Sequence, residues 1–203
     1  MFKKIDFFFF GWIINWLYPE YFRPKYGYQR YYILLFHYLI PQKVFRLNPK
    51  VRWPVHFTSK VLSAKNIKKG ILCDPGDNHN NYIQANNGII FGSNIELGPG
   101  VSIISANHKS NNLRKHTKGR PITIGNHVWI GANSTVLPEV SIGNNVIIGA
   151  NSLVNKDIPS NSIAVGNPCK VIKQKEVYKE DVSKIIFNKK IPKKFKAFLG
   201  SNV

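Results

Sequence analysis

The sequence predicts an all-β solenoid, a parallel β-helix, for the middle of this 203-residue chain. Aliphatic residues recur at every sixth position from 124 to 154, the residue two positions earlier is small or β-branched, and glycine follows most of the aliphatic positions. An α-helix would place apolar residues three and four apart, and a half-buried strand would alternate them, so neither explains a repeat of six. The aliphatic positions are Ile124, Ile130, Val136, Ile142, Ile148 and Val154.

Each six residues provide one short strand and one corner. The aliphatic side chain points into the solenoid, and glycine or asparagine at the corner accommodates the backbone of the bend. Parallel coils stacked about 4.8 Å apart then bury successive rings of aliphatic side chains. Towards the N-terminus the frame continues at Ile103, Leu97 and Phe91, fades through Ala85, His79 and Cys73, and returns at Ile67, Val61 and Val55.

The frame breaks between Ile103 and Ile124, which are separated by 21 residues, a number that is not a multiple of six. The segment from 105 to 120 reads SANHKSNNLRKHTKGR and is polar and basic. A coil that loses its frame must extrude a loop, and loops on rigid scaffolds carry binding and catalytic residues more often than the scaffold does. The break is therefore the first indication of a functional site.

The run from 121 to 173, PITIGNHVWIGANSTVLPEVSIGNNVIIGANSLVNKDIPSNSIAVGNPCKVIK, resembles the closing coils of the hexapeptide-repeat acyltransferases. It looks like the closing coils of the galactoside, maltose and capsule-type sugar O-acetyltransferases of that family. The resemblance implies a left-handed parallel β-helix, acetyl-CoA as acetyl donor, and a homotrimer with active sites in the clefts between neighbouring prisms. It also implies a sugar or lipid-linked saccharide as acceptor, in capsule, exopolysaccharide or lipopolysaccharide biosynthesis.

In that family the extruded loop begins with a small residue, a polar residue and the catalytic histidine, and the matching run here, 105–108, places His108 last. The resemblance makes His108 the general base that takes the proton from the acceptor hydroxyl, a task suited to an imidazole with an ordinary pKa near 6.5. Because no cysteine or serine lies in a recognisable nucleophile motif, we expect direct transfer without an acyl-enzyme. The competing histidines are His79, His116, which lies late in the loop, and His127, which falls at a corner of a repeat.

The sugar acetyltransferases also carry an asparagine about 30 residues before the histidine, and the corresponding position here is Asn78. Its amide would orient the acceptor hydroxyl or donate to the developing oxyanion. The neighbouring Asp77, Asn80 and Asn81 leave the assignment open by a few positions, and an asparagine-rich corner turn is the alternative.

For the cofactor, the resemblance places pantetheine in a groove between coils, near the backbone of Ala132 and Ala150 and close to Trp129, for which interface packing is the alternative. The phosphates of CoA would lie near the last coil. The family's threonine and lysine correspond there to Asn155 and Lys156, and its two later basic residues to Lys170 and Lys173. Lysine supplies charge without the bidentate fork of arginine.

The composition limits the remaining classes of function. The chain has 29 Lys and Arg against 10 Asp and Glu, a formal net charge of +19 that attracts polyanions, yet no motif specific for nucleic acid occurs. The cysteines, Cys73 and Cys169, have neither disulfide nor zinc spacing, so we expect free thiols and no metal. No convincing signal peptide precedes the repeats, and we expect a cytoplasmic protein.

The sequence divides into an aromatic and basic segment (1–50), the solenoid (51–173) and a basic tail (174–203). The first segment is expected to be mostly helical, and its aromatic residues either cap the open end of the solenoid or lie in a bilayer interface, peripheral at the inner face of the membrane. The tail is expected to be a short helix or a loose extension.

Three functions remain at this point. The first is O-acetylation of a sugar hydroxyl. The second is acetylation of an amino group on an amino sugar, or of serine or an antibiotic, by the same fold. The third is a non-catalytic basic scaffold, which the loop histidine and the lysines near the predicted cofactor site disfavour.

Overall fold

A computed structural model describes residues 5–21, 31–179 and 191–199, and its centre is a solenoid of short strands. The strands are β1 (Lys60–Leu62), β2 (Ile67–Lys68), β3 (Tyr82–Gln84), β4 (Ile89–Phe91), β5 (Ile95–Leu97), β6 (Ser102–Ile104), β7 (His108–Lys109), β8 (Asn112–His116), β9 (Ile122–Ile124), β10 (Val128–Ile130), β11 (Thr135–Val136), β12 (Ser141–Ile142), β13 (Val146–Ile148), β14 (Leu153–Val154), β15 (Ser162–Val165) and β16 (Lys170–Gln174).

Three sheets form the sides of a triangular prism. Sheet A has the order β1-β3-β6-β11-β14, sheet B the order β2-β4-β9-β12, and sheet C the order β5-β10-β13-β15-β16. The chain passes from A to B to C and back to A, so the three corners stack into three edges, which we call A/B, B/C and C/A. All ladders within these sheets are parallel except that between β15 and β16.

The predicted aliphatic positions fill the prism. All six from 124 to 154 are buried, and they belong to one continuous core. Ile130 pairs with Ile148 and Val136 with Val154, so one regular coil takes 18 residues. Where the loop is extruded, Phe91 pairs with Ile124 instead, a separation of 33. The structure therefore confirms the six-residue frame and its single large interruption.

The corners use glycine differently from our expectation. Gly125 and Gly131 lie where coils approach closely: a Cβ on Gly131 would lie 2.6 Å from the amide nitrogen of Ala150. The left-handed backbone occurs two residues after each glycine, at His127 (φ 59°) and Asn133 (φ 57°). Asparagine tolerates this conformation better than most residues, so the bend depends on the asparagines and the coil spacing on the glycines.

One part of the predicted frame is wrong. His79 was expected to point inward, but it is exposed, and Ile83 occupies the inward position. Val61 pairs with Ile83, so this coil has 22 residues. Two of the four extra residues lengthen the A/B corner, because Val61 lies seven residues before Lys68 whereas the equivalent Val136 lies five before Ser141. The other two lie between Lys68 and Ile83 and lengthen the turn that leads into β3. The frame predicts six residues for each strand with its corner. The longer corners of this coil break that spacing, which explains why the pattern fades there.

Helices cover the start of the solenoid. They comprise a π-helix Phe7–Gly11 that continues as α1 (Trp12–Leu17), α2 (Tyr31–Ile33) that continues as a π-helix Leu34–Val44, a 3₁₀ turn Ala64–Asn66 and, near the C-terminus, α3 (Lys193–Lys196). None of the helices within the described ranges is long and apolar enough to cross a bilayer.

Gln42 connects the N-terminal helices to the first coil. Its fully buried side chain donates from Nε2 to the carbonyl oxygens of Val51 and Trp53, both at 3.1 Å. Its Oε1 accepts the N–H of Val55 at 3.1 Å and the hydroxyl of Tyr18 at 2.9 Å. These bonds satisfy backbone groups that no preceding coil can pair with, so the inner side of the helices acts as a cap.

The C-terminal region is more ordered than a loose tail in its described parts. β16 runs antiparallel to β15 and is the last strand of sheet C. Further on, buried Phe195 of α3 packs against Ile71 and Leu72 of an early coil. Much of the predicted 174–203 tail, residues 180–190 and 200–203, lies outside the described residues.

Gly125→Ala tests the coil spacing. The new methyl group would lie 2.7 Å from the backbone carbon of Gly143. We expect a loss of about 1–3 kcal/mol in the free energy of unfolding, because backbone cannot move aside without disturbing the stacked coils. Ser141→Thr, which also adds one methyl group but on the outer side of sheet B, is the control and should change the thermal midpoint little. Equal midpoints for the two variants would contradict the close approach.

Candidate active site

The loop that interrupts the repeat leaves the prism at the A/B edge, and two side chains of the preceding coil hold its stems. Buried Gln84 donates from Nε2 to the carbonyl oxygen of Ala106 at 3.1 Å and accepts the N–H of Ala106 at the same distance. Asn87 Nδ2 donates to the carbonyl oxygens of Ser105 at 3.0 Å and Thr117 at 3.1 Å. The two stems are thus joined to each other and to the scaffold.

Beyond the stems the loop forms a hairpin of β7 and β8 that presents His108. His108 Nδ1 is hydrogen-bonded to the carbonyl oxygen of Leu113, and the His108 ring lies 4.6 Å from the ring of His116. A carbonyl oxygen only accepts, so Nδ1 carries the proton in the neutral ring and Nε2 carries the lone pair. The ring is therefore held in the tautomer that a general base acting through Nε2 requires.

The predicted asparagine lies at a different edge. Asn78 is half-buried in the extended C/A corner, where its Nδ2 donates to the carbonyl oxygen of Leu97 at 3.2 Å. Its Oδ1 accepts the backbone N–H of His79 at 2.9 Å, and the hydroxyl of Ser59 donates to the backbone carbonyl oxygen of Asn78 at 2.6 Å. One of the two Nδ2 hydrogens is used on Leu97, which leaves the other for a ligand.

Asn78 shares the C/A edge with the two alanines predicted to border the cofactor. Leu97, to which Asn78 is bonded, precedes Gly98, and Gly98 lies against the backbone of Ala132. Gly131 lies in the same way against the backbone of Ala150. The asparagine and both alanines therefore lie along one edge, with the coil of Gly98 between Asn78 and Ala132.

The predicted aromatic and basic residues of sheet C lie beside that edge. Trp129 projects from β10, in register with Glu96 and Ile147, and its side chain is 54% exposed. Lys170 and Lys173 are exposed on β16, the outermost strand of the same sheet. An aromatic face and two cations thus lie on one surface with the C/A edge.

The remaining two predicted cofactor residues lie elsewhere. Asn155 and Lys156 follow β14 at the A/B edge, where both are exposed. Next to them, Arg120 at the end of the loop forms an exposed ion pair with Asp157 at 3.3 Å. These residues share an edge with the loop of His108, and not with Ala132 or Ala150.

Within one copy of the chain the predicted residues thus form two groups. No hydrogen bond or ring contact joins His108 to Asn78 among the described residues. One group, at the A/B edge, contains His108, Asn155 and Lys156. The other, at the C/A edge, contains Asn78, the two alanines, Trp129 and two lysines. A single copy does not bring them into one site.

The structure also separates the competing histidines. Buried His127 is a corner residue whose Nδ1 lies 3.0 Å from Asn94 Nδ2 and whose ring stacks on Tyr178 at 3.8 Å. His116, which its late position in the loop had made a weak candidate, lies directly beside His108 because the hairpin folds back. Turn-forming residues at 110 and 111 were the signal for that hairpin.

A second histidine pair adjoins Asn78. The ring of buried His56 lies 4.2 Å from that of His79, whose Nδ1 is 3.1 Å from Asn78 Oδ1. His56 Nδ1 accepts the N–H of Thr58 at 3.3 Å, which favours the neutral ring. Burial, together with the nearby His79 and His37, lowers the pKa of His56 from 6.5 to about 4.

Comparison with known proteins gives one family match. Residues 121–156 match the model described as "Bacterial transferase hexapeptide (six repeats)". The matched segment covers the regular coils that follow the loop.

Two curated relatives align with the central part of the chain. The galactoside O-acetyltransferase of Escherichia coli (strain K12) is 42% identical over 89 residues, which are 42% of this chain and 44% of that protein. Nodulation protein L of Rhizobium meliloti is 44% identical over 86 residues, 41% of this chain and 47% of that protein. The aligned segment spans about half the length of such relatives.

Among solved structures, a maltose O-acetyltransferase from Clostridium difficile 630 superposes with a TM-score of 0.50 at 36% identity. The match covers 58% of this chain and 64% of that one.

Because the pKa of His56 is lower in the folded chain than in the unfolded one, acid should destabilise the fold. Between about pH 6.5 and pH 4 the unfolded chain binds a proton at His56 that the folded chain does not, so stability should fall as the pH falls through this window. His56→Asn keeps an acceptor near Nδ1 and removes the titration. Its thermal midpoint should therefore change less than that of the wild type between pH 7 and pH 4.5. Identical pH profiles would show that His56 is not the responsible group.

Proposed function

We propose that this chain, whose regular coils are bacterial transferase hexapeptide repeats, is an acetyl-CoA-dependent O-acetyltransferase that acts on a sugar hydroxyl. The observation that carries the proposal is the position and tautomer of His108 on a loop extruded from such repeats. Relatives named galactoside and maltose O-acetyltransferase support the acetyl donor and the sugar acceptor.

In the proposed reaction, His108 Nε2 removes the proton of the acceptor hydroxyl as its oxygen attacks the thioester carbonyl carbon. The resulting tetrahedral intermediate collapses, the carbon–sulfur bond breaks, and the imidazolium returns the proton to the leaving thiolate. Asn78 donates its second Nδ2 hydrogen to the acceptor oxygen or to the developing oxyanion. The products are an acetyl ester and free CoA, and no covalent acyl-enzyme is involved.

Acetyl-CoA is proposed to lie along the C/A edge. Ala132 is half-buried and Ala150 exposed there, Trp129 offers an exposed aromatic face, and Lys170 and Lys173 supply positive charge for the phosphates. Asn155 and Lys156 belong to the opposite edge of sheet A, so they reach the same cofactor only from another copy of the chain.

The separation of the two edges supports a homotrimer. In a closed ring of three prisms, the A/B edge of one copy faces the C/A edge of the next, and this arrangement joins His108 of one copy to Asn78 of its neighbour. Asn155 and Lys156 would then complete the cofactor site begun by the neighbour's alanines and later lysines. The proposed active site is therefore shared between copies.

The proposed acceptor is a sugar or a lipid-linked saccharide that is used to build capsule, exopolysaccharide or lipopolysaccharide, and the proposed location is the cytoplasm. The net charge of +19 suits an acceptor that bears phosphate.

The test is acetyl transfer from labelled acetyl-CoA to a panel of simple sugars, lipid-linked oligosaccharides, amino sugars and serine. We expect CoA release that depends on a saccharide, with a label that hydroxylamine removes, because esters but not amides react with it. A stable amide product would replace the proposal by N-acetylation. No transfer to any acceptor, with no binding of acetyl-CoA, would overturn it.

His108→Ala tests the proposed role of His108 as general base. It should lower kcat by about 100-fold or more and leave acetyl-CoA affinity nearly unchanged, as expected for loss of a general base. Lys109→Ala, an exposed neighbour on the same strand, controls for damage to the hairpin. An active His108→Ala enzyme would remove His108 from the proposed mechanism.

A further inference from the structure

The first helix of the chain has two different faces. Ile14 points into a small core, whereas Phe8, Trp12 and Trp16 are 75%, 64% and 74% exposed. These three residues are spaced four apart, so they form one stripe along the outer side of the helical segment. The cap formed by the inner face does not use them.

The second helical segment continues the exposed surface. Tyr32 and Phe36, also four apart, are 40% and 56% exposed, while Leu34 and Tyr38 between and after them are buried. Just beyond the helix, Phe45 is 70% exposed. Scattered exposed apolar residues are common, but a run of large aromatic rings on adjoining helices marks a surface that meets something apolar. We call Phe8, Trp12, Trp16, Tyr32 and Phe36 the aromatic face.

The charge of this region is strongly positive. Residues 1–50 contain eight Lys and Arg and only two acidic residues, Asp6 and Glu20. Asp6 is buried and accepts the backbone N–H groups of Tyr31 at 2.7 Å and Tyr32 at 2.9 Å. Glu20 pairs with Arg52 at 3.3 Å. Both negative charges are thus committed internally, and the cations of this region among the described residues are Lys43, Arg46 and Lys50.

A basic cavity of about 980 Å³ lies between the stretch 46–53, just after the second helical segment, and the first coil. Its lining includes Arg46, Lys50, Arg52, Lys60 and Lys65. Apart from Arg52, these cations form no ion pair with any described residue. Such a cavity suits a phosphate-bearing group, which is the chemistry of a lipid headgroup.

We infer that the aromatic face docks on an anionic membrane surface. The rings would lie at the depth of the headgroups, where Trp and Tyr are favoured, and the surrounding Lys and Arg would contact anionic lipid. None of the described helices is long and apolar enough to cross a bilayer, so we place the aromatic face in the interface, with the helices lying along it. This inference does not depend on the proposed acetyl transfer.

A second copy of the chain is the other candidate occupant, and charge argues against it. Two equally basic surfaces would repel each other when brought together, whereas an anionic bilayer attracts such a surface. The same argument predicts that binding weakens as salt is added.

The test uses the full chain and vesicles of phosphatidylcholine with or without phosphatidylglycerol. We expect the wild type to float with the anionic vesicles, at least about 10-fold more than with neutral ones, and less so in high salt. Trp→Ser at positions 12 and 16 should abolish most of the flotation. Ile172→Ser with Val177→Ser, which also removes two exposed apolar side chains, is the matched control and should float like the wild type.

Tryptophan fluorescence gives a second readout. Trp12, Trp16 and Trp129 are exposed and Trp53 is buried, so a blue shift caused by anionic vesicles that is lost in the double Trp→Ser variant would place residues 12 and 16 in the interface. Because both side chains project outward, the variant should keep the wild-type thermal midpoint. Deleting the segment would be less informative, since Gln42 caps the first coil.

Three results would overturn the inference. The first is a wild type that does not bind anionic vesicles. The second is a double Trp→Ser variant that floats as well as the wild type. The third is self-association through the aromatic face, seen as a particle mass in solution that falls when Trp12 and Trp16 are replaced, without any binding to vesicles.

Discussion

The whole structure depends on parallel pairing between stacked coils, which settle into a regular length of 18 residues after the loop. This pairing fixes which side chain points inward at every sixth position, and it brings successive corners so close together that Gly125 and Gly131 have no room for a methyl group. It also stacks the corners into straight edges. An insertion at one corner therefore leaves the coils above and below undisturbed, and the residues proposed for catalysis, His108 and Asn78, both lie at edges of the prism.

The sequence was most informative where local geometry decides the outcome. The inward aliphatic ring and the extruded loop follow from a strict period, and the structure confirms both. His116 beside His108, the long corner between Cys73 and Ile83, and the antiparallel β16 were not predicted. They depend on a hairpin closing and on pairing between distant segments, for which a six-residue period carries no signal. The separation of His108 from Asn78 is likewise a property of the prism, visible only after the corners are assigned to edges.

In the sequence, the aromatic N-terminal segment had two alternative explanations, a cap on the solenoid and a contact with a bilayer. The structure leaves room for both, because they concern different faces of the helices. Capping concerns the inner face, where Gln42 and a small aromatic core meet the first coil. The proposed membrane contact concerns the outer face, which capping leaves exposed. If the enzyme is bound to a membrane, its active site and a lipid-linked acceptor diffuse on the same surface, so they meet by diffusion in two dimensions. The membrane contact would then favour the proposed reaction, although neither proposal depends on the other.

The central claim is that two edges from different copies form one active site, and subunit complementation tests it most directly. His108→Ala and Asn78→Ala copies, each nearly inactive alone, are mixed in equal amounts, reassembled and assayed for acetyl transfer. If each site in a cyclic trimer takes the histidine from one copy and the asparagine from the next, about a quarter of the sites regain both residues, and activity should recover to about a quarter of the wild-type value. Mixed assemblies as inactive as their parents would show that both residues act within one copy and would contradict the account.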